Sequence, residues 1–230
     1  VKVDKSLQLA SARERENHTP HPDEQYQLSF LERMEIANQV QLAVEEEFGP
    51  TGRKVIGRAM SAATFAPKLP AAKGDTTTFA RRGATGRLLE AHREEFLHSD
   101  YLRVDPDNGS ELWRVSLRLG STKGVDYGEF VKDLKRAVEP VMTAHACREQ
   151  VLKTVVQGRE GKPPMGASVL LLGVPNEALP KPAKGLKTPE NTGDNAPSAL
   201  AETGVNQTKI FARSLLNLLT ISRMKVRTHD

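Results

Sequence analysis

Histidines, a cysteine and glycine-bearing loops are where this sequence could do chemistry, and each falls short on spacing. His18 and His21 lie three positions apart, close enough for two imidazoles to share a metal ion, but two histidines without a third ligand do not make a site. His92 and His98, six apart, cannot share one face of a helix as a metal pair would, so packing or solvent contact is the better reading for both. The single cysteine, Cys147, rules out an internal disulfide framework and a cysteine-rich zinc site, and its helical surroundings make it a packing residue. The GPTGRK run at 49–54 has the wrong glycine-to-lysine spacing for a phosphate loop and no Ser or Thr after the lysine, which leaves a turn. Asp105-Pro-Asp-Asn-Gly-Ser shares only the composition of a calcium loop, because Gly109 stands where that loop needs an oxygen ligand. Asn-Gly favours the positive φ of a hairpin turn instead. No Ser, His and Asp set and no Cys and His pair sits in a context that suggests cooperation. No catalytic, cofactor-binding or metal-ligating residue is assigned, and no cofactor is expected.

The elements that would carry any site are organised around Leu112–Met142. From Leu112 to Leu119 the residues alternate: Trp113, Val115, Leu117 and Leu119 on one side, Arg114, Ser116 and Arg118 on the other, which is a strand with one dry face. Gly120 to Gly124 break the run, and Asp126 with Glu129 three residues on marks a helix start at Tyr127. Tyr127, Phe130, Val131, Leu134, Val138 and Met142 then recur at helical spacing. The expected core is Trp113, Val115, Leu117, Leu119, Tyr127, Phe130, Leu134 and Val138, with the helix laid on the sheet.

Before this stretch, Val1–Leu9 alternates weakly and can be a first strand, and a polar loop follows to Tyr26. Leu28–Phe48 reads as a helix with Leu28, Leu31, Met34, Leu42 and Phe48 apolar and Ser29 with Glu32 as a capping box, ended by Gly49, Pro50 and Gly52. Lys54–Met60 can be a second strand, with SAATFAP leading out of it. After a loop over 67–78, a helix is expected from about Gly86 to His98 with Leu88, Leu89, His92 and Phe96 on its apolar side, inside a helical insertion at about 77–98. Tyr101–Val104 and Glu111–Leu119 flank the Asn-Gly turn as a hairpin. Beyond Met142 the pattern stays helical through Val155, with Pro140 marking a kink or a new start. Residues 158–166 form a linker. Ala167–Val174 is a continuous apolar run of the kind a doubly covered strand shows. Residues 175–203 read as a mobile loop, Asn206–Ile221 as a helix and Met224–Thr228 as a closing strand, a β-α-β unit with a right-handed crossover.

With 27% charged and 38% apolar residues the chain is globular in composition, and no run approaches the roughly 18 consecutive apolar residues of a membrane span. The net charge of +4 is uneven: Arg53 to Arg103 carries ten Lys or Arg against five Asp or Glu, while Glu32 to Glu47 is acidic. Such asymmetry can attract nucleic acid or anionic lipid, and a solvated surface explains it as well. There is no signal-peptide core, and Val1 is not an initiator methionine, so a piece of a longer chain is expected.

In order, residues 1–157 read as most of a split β-α-β, ferredoxin-like arrangement, and 167–230 as a partial α/β unit, an α+β chain overall. LSFLERMEIANQVQ followed by SAATFAP, and ELWRVSLRL followed by VDYGEFVKDLKRAVEPV, resemble the large soluble loop after the first membrane helix in exporters of the resistance-nodulation-division superfamily, particularly the MMPL-like branch. The resemblance covers about the first two thirds of the chain and consists of packing and turn residues. It implies a non-catalytic, porter-type domain on the extracytoplasmic (periplasmic) side of the bacterial cytoplasmic membrane. The implied partners are the membrane helices and second porter domain of the same transporter, a homo-oligomer and a small or lipid-like cargo. The family's proton-relay carboxylates lie in membrane helices, so none is assigned here. Ala167–Val174 is then either the fourth ferredoxin strand or, as we favour, the first strand of an inserted doubly wound domain.

Two rival readings meet obstacles. An RNA-binding module would share the fold and suit the pI of about 9.2, and DYGEFV echoes an RNP1 element. However, Glu129 interrupts the spacing, the segment reads as helix, and 5% aromatic content leaves few stacking platforms, so no nucleic acid is expected. A small-ligand-binding α/β enzyme would place its ligand after Ala167–Val174, where no GxGxxG fingerprint stands.

Overall fold

The computed structural model describes residues 1–11, 27–70, 76–120, 125–158, 168–172, 199–221 and 225–229. The polar loop with His18 and His21, nearly all of the 158–166 linker and most of the 175–203 loop lie outside these.

Helix α1, Phe30–Phe48, starts as its sequence dictates: Ser29 Oγ accepts from the Glu32 amide, and Glu32 Oε2 accepts from the Ser29 amide at 2.8 Å. It ends at Gly49, where a Cβ would lie 2.3 Å from the Glu45 carbonyl oxygen. Phe30, Leu31, Met34, Ile36, Ala37, Val40 and Val44 are all buried, so α1 is enclosed on most of its circumference; Leu42, expected on the apolar side, is 53% exposed.

The sheets around α1 are small. Strand β1 is Lys2–Val3, much shorter than the Val1–Leu9 reading, and a 3-10 turn at Lys5–Leu7 follows it. Strand β2, Ile56–Ser61, runs into the short helix α2, Ala62–Phe65, through a second capping box in which Ser61 accepts from the Ala63 amide and Thr64 Oγ1 accepts from the Ser61 amide. Helix α3, Thr76–Ala91, starts ahead of the expected Gly86 because Thr76–Thr78 and Gly83 are poor helix formers that mask it in the sequence. It gives way at His92 to α4, Arg93–His98. Leu89 and Phe96 point into the core, whereas Leu88 and His92 are exposed.

The hairpin forms as read. Strands β3, Leu102–Val104, and β4, Glu111–Trp113, pair antiparallel around a turn in which Gly109 has φ +69°. The Asp105 carboxylate is spent inside that turn, accepting from the Asp107 amide and Asn108 Nδ2.

The long strand expected over Leu112–Leu119 is divided at Arg114. Strand β4 pairs with β1 and β3, while β5, Val115–Leu119, pairs antiparallel with β2. The pairing of Lys2 with Leu112 is antiparallel, where a split β-α-β arrangement would make those two strands parallel. The division also splits the core: Trp113 packs with Phe30, Phe96 and Leu102, and Val115 and Leu117 pack with Val44, Phe48 and Ile56.

Helix α5, Tyr127–Gly158, begins at the expected residue because Asp126 Oδ1 accepts from the Gly128 and Glu129 amides. It runs through Pro140 without a new start. Proline has no N–H for the Arg136 carbonyl four residues back, and Gln207 Nε2 donates to that oxygen at 3.4 Å. Phe130, Leu134 and Val138 pack on the second core as expected, with the Phe130 ring edge-on to Phe48 at 5.2 Å.

Two expected core residues are not core. Tyr127 is 67% exposed, because it stands in the first turn before the helix meets the sheet, and Leu119 is 37% exposed at the frayed end of β5. The stripe is set instead by small residues, Ala137 and Ala144, with Val141 and Leu152.

The C-terminal unit is a parallel pair, β6, Ser168–Leu172, with β7, Lys225–His229, joined by α6, Ala199–Ile221. Helix α6 starts seven residues before the expected Asn206. Leu215, Leu218 and Leu219 of α6 close a third core with Ala144 and Leu152 of α5. The molecule is a mixed α+β structure whose sheets before residue 158 are antiparallel. No helix among the described residues is long and apolar enough to cross a membrane.

Candidate functional site

Helix α1 carries an unusual load of buried charge. Arg33, one turn into the helix, lies between the first core and the chain entering at Leu28. Its Nε stands 2.8 Å from Glu111 Oε2, too poorly aligned for a hydrogen bond, so the attraction is Coulombic. Arg93 reaches Glu111 Oε1 at 3.1 Å, and Trp113 Nε1 donates to Oε2 at 3.1 Å. Burial lowers the Arg33 pKa from its ordinary value, and Glu111 opposes that shift. Glu35 is held by a two-pronged bond from Arg82, both contacts at 2.6 Å; burial raises the Glu35 pKa and Arg82 pulls it back. Arg148 reaches Glu32 at 3.0 Å, tying α5 to the α1 cap.

A neutral seam continues along α1. Gln41 donates to the Ala59 carbonyl and accepts from the Ser61 hydroxyl at 2.7 Å and from Thr64 at 3.1 Å. Arg33 Nε apart, these groups have partners, and most of them are shut away from water. The cluster can fix the relative positions of α1, α3, β4 and α5, but it offers no free proton acceptor to a substrate.

Two concave surfaces flank the seam. A cleft of about 150 Å³ lies between β1, the start of α1 and α5, walled by Val3, Leu7, Leu28, Ile36 and Met142. His145 lines it. Its Nε2 is 3.3 Å from Gln39 Oε1, while Nδ1 is buried with no partner among the described residues, and burial beside Arg148 pushes its pKa down to about 3. The ring is therefore neutral near pH 7. A wider groove of about 590 Å³ separates α1 from α6, with Ala43, Val141 and Ile210 in its lining, Leu42 exposed, and Glu46 and Arg213 also lining it. That volume lies in the range that holds small ligands. The lining can hold an apolar molecule and shows no nucleophile paired with a base.

The residues singled out in the sequence are placed as follows. Four of the five GPTGRK amides donate within the turn, Gly49 to Glu45, Gly52 and Lys54 to Gly49, and Arg53 to Glu47, so there is no row of amides to cradle a phosphate. His92 Nδ1 contacts Glu95, and His98 Nδ1 donates to the Glu94 carbonyl on the same helix. Cys147 is half-buried against the third core. Among the described residues no group of three or more His, Cys, Asp or Glu could hold a metal ion. Comparison with family models, curated proteins and solved structures yields no match to this chain.

Sequence reasoning missed the charged seam. Arg33 and Glu111 are 78 positions apart, and each alone looks like an ordinary surface charge. The one available signal was that Arg33 and Gln41 fall at positions of α1 flanked by apolar residues.

Proposed function

We propose that the chain is a non-catalytic, porter-type extracytoplasmic domain of a proton-driven membrane exporter. The observation that carries this reading is that the four segments bearing the resemblance lock to one another side chain to side chain. Phe30 of the LSFLER segment packs on Trp113 of ELWRVSLRL with ring centroids 5.4 Å apart, and Arg33 faces Glu111. Gln41 of ANQVQ bonds Ser61 and Thr64 of SAATFAP. Phe130, Leu134 and Val138 of VDYGEFVKDLKRAVEPV share the second core with Val40 of the first segment and Val115 and Leu117 of the third.

In this reading the ferredoxin-like plan is carried by α1 and α5 on one face of the β2 and β5 ribbon, with β1 departing from it. The groove between α1 and α6 would pass or hold an apolar, lipid-like cargo, and the remaining partners are membrane helices and a second porter domain of the same protein. The reading frame around the chain tests this: apolar segments of about 20 residues shortly before Val1 and some distance after Asp230 are expected. A start codon and a stop codon at those points would end it.

A further inference from the structure

The outer face of the β2 and β5 ribbon carries two facing arginines that pair with no acid among the described residues. Arg58 of β2 and Arg118 of β5 are directly opposite in the antiparallel register, and both are exposed. Like charges in that position destabilise a sheet. The pair exists because of an irregularity: Ile56 pairs with Leu119 and Arg58 with Arg118, so Gly57 is an extra residue, a bulge. Ile56 points inward and is buried; strict alternation would turn Arg58 inward after it, and the bulge brings it outward instead. The Arg58 and Arg118 side chains make no hydrogen bond or ion pair among the described residues, while Arg114, exposed at the division between β4 and β5, lines a hollow shared with Asp100. In the neighbouring sheet Lys2 and Arg103 flank Leu112 of β4, each beside one acid, Asp4 and Asp100. Leu112 is 40% exposed, and Met60 sits outward opposite Ser116.

We infer that this face binds an anionic membrane surface through lipid phosphates. Guanidinium groups pair with phosphate oxygens through two parallel bonds, and a facing pair of them removes the mutual repulsion once a phosphate lies between. Exposed Leu112 of β4 and half-buried Met60 of β2 accompany the cations, which suits a headgroup layer. Strands β2 and β5 themselves carry no aromatic side chain to stack a nucleic-acid base. The inference depends on the ribbon alone and not on the exporter reading.

The test is cosedimentation of the 230-residue chain at low salt with phosphatidylcholine vesicles, with or without about one third phosphatidylglycerol. The chain should partition onto the anionic vesicles only, and release when salt shortens the screening length to about 3 Å. Each arginine contributes about fivefold at a membrane surface, so Arg58→Gln with Arg118→Gln should weaken binding roughly thirtyfold. Both positions are exposed, so circular dichroism and the melting temperature should not change. Arg81→Gln with Arg87→Gln, an equal charge change on α3, should cost much less. Equal losses in the two double variants, or no retention on anionic vesicles, would overturn the inference. So would displacement by millimolar inorganic phosphate, which would mark a free-phosphate site, or stronger retention on polyglutamate or oligouridylate than on vesicles.

Discussion

Glu111 and Arg33 face each other at 2.8 Å with side chains 1% and 4% exposed, an ion pair closed off from water between the hairpin and the central helix. Removing one member leaves the other charge buried without compensation, which costs more than the pair itself contributes. Glu111→Ala should destabilise the fold by about 3–5 kcal/mol in urea denaturation, with Arg33 left buried without its counter-charge. Replacing the pair together, Arg33→Met with Glu111→Leu, should cost clearly less than Glu111→Ala. Equal costs would mean that the carboxylate acts through packing alone.

His145 gives the fold an acid sensitivity. Its native pKa of about 3 lies below the ordinary 6.5. The unfolded chain therefore takes up a proton on falling through pH 6.5 that the native ring refuses until about pH 3. Stability from this group is complete above pH 6.5 and is lost as pH falls, by at most about 1.4 kcal/mol per unit. Between pH 7.5 and pH 5 the loss should be at most about 2 kcal/mol, less to the extent that the half-buried ring meets water. His145→Gln should flatten that slope in urea melts at the two pH values. An unchanged slope would place the acid sensitivity elsewhere.

The N-terminal caps are local and separable. Ser29→Ala should cost about 1 kcal/mol through loss of the α1 capping box. Asp126→Ala should cost a similar amount at α5, because two amides lose their acceptor. Thermal melts of the single and double variants should be additive, since the two caps share no partner.

The two ends of α5 should respond oppositely to truncation. Leu152 is fully buried against Leu218 and Leu219, and Leu152→Ala should cost about 2–5 kcal/mol. Tyr127→Ala should stay within about 0.5 kcal/mol, because the ring is mostly in water. A large loss at Tyr127 would restore the stripe that periodicity alone suggests.

Local signals were legible. Ser29 with Glu32, Asn108 with Gly109, and Asp126 before Tyr127 each act within four residues, and each formed what its chemistry dictates. What escaped depends on distant partners. Arg114 interrupts an alternation that looks unbroken, because β1 and β3 claim the chain on one side of it and β2 on the other. Ala137 and Ala144 line the helix contact where close approach demands small side chains, and their low hydrophobicity hid them behind Tyr127 and Val131. The buried charges could not be read at all, since Arg33, Glu35 and Glu111 become core residues only when an arginine or carboxylate from another element arrives.

The exporter reading is tested most directly by topology labelling of the full-length gene product. In a Cys147→Ser background, Asp107→Cys places a thiol on the exposed turn of the hairpin. The account predicts that the protein fractionates with membranes and that a membrane-impermeant maleimide labels this thiol in intact spheroplasts. Labelling only after lysis, or recovery of the protein in the soluble fraction, would contradict it.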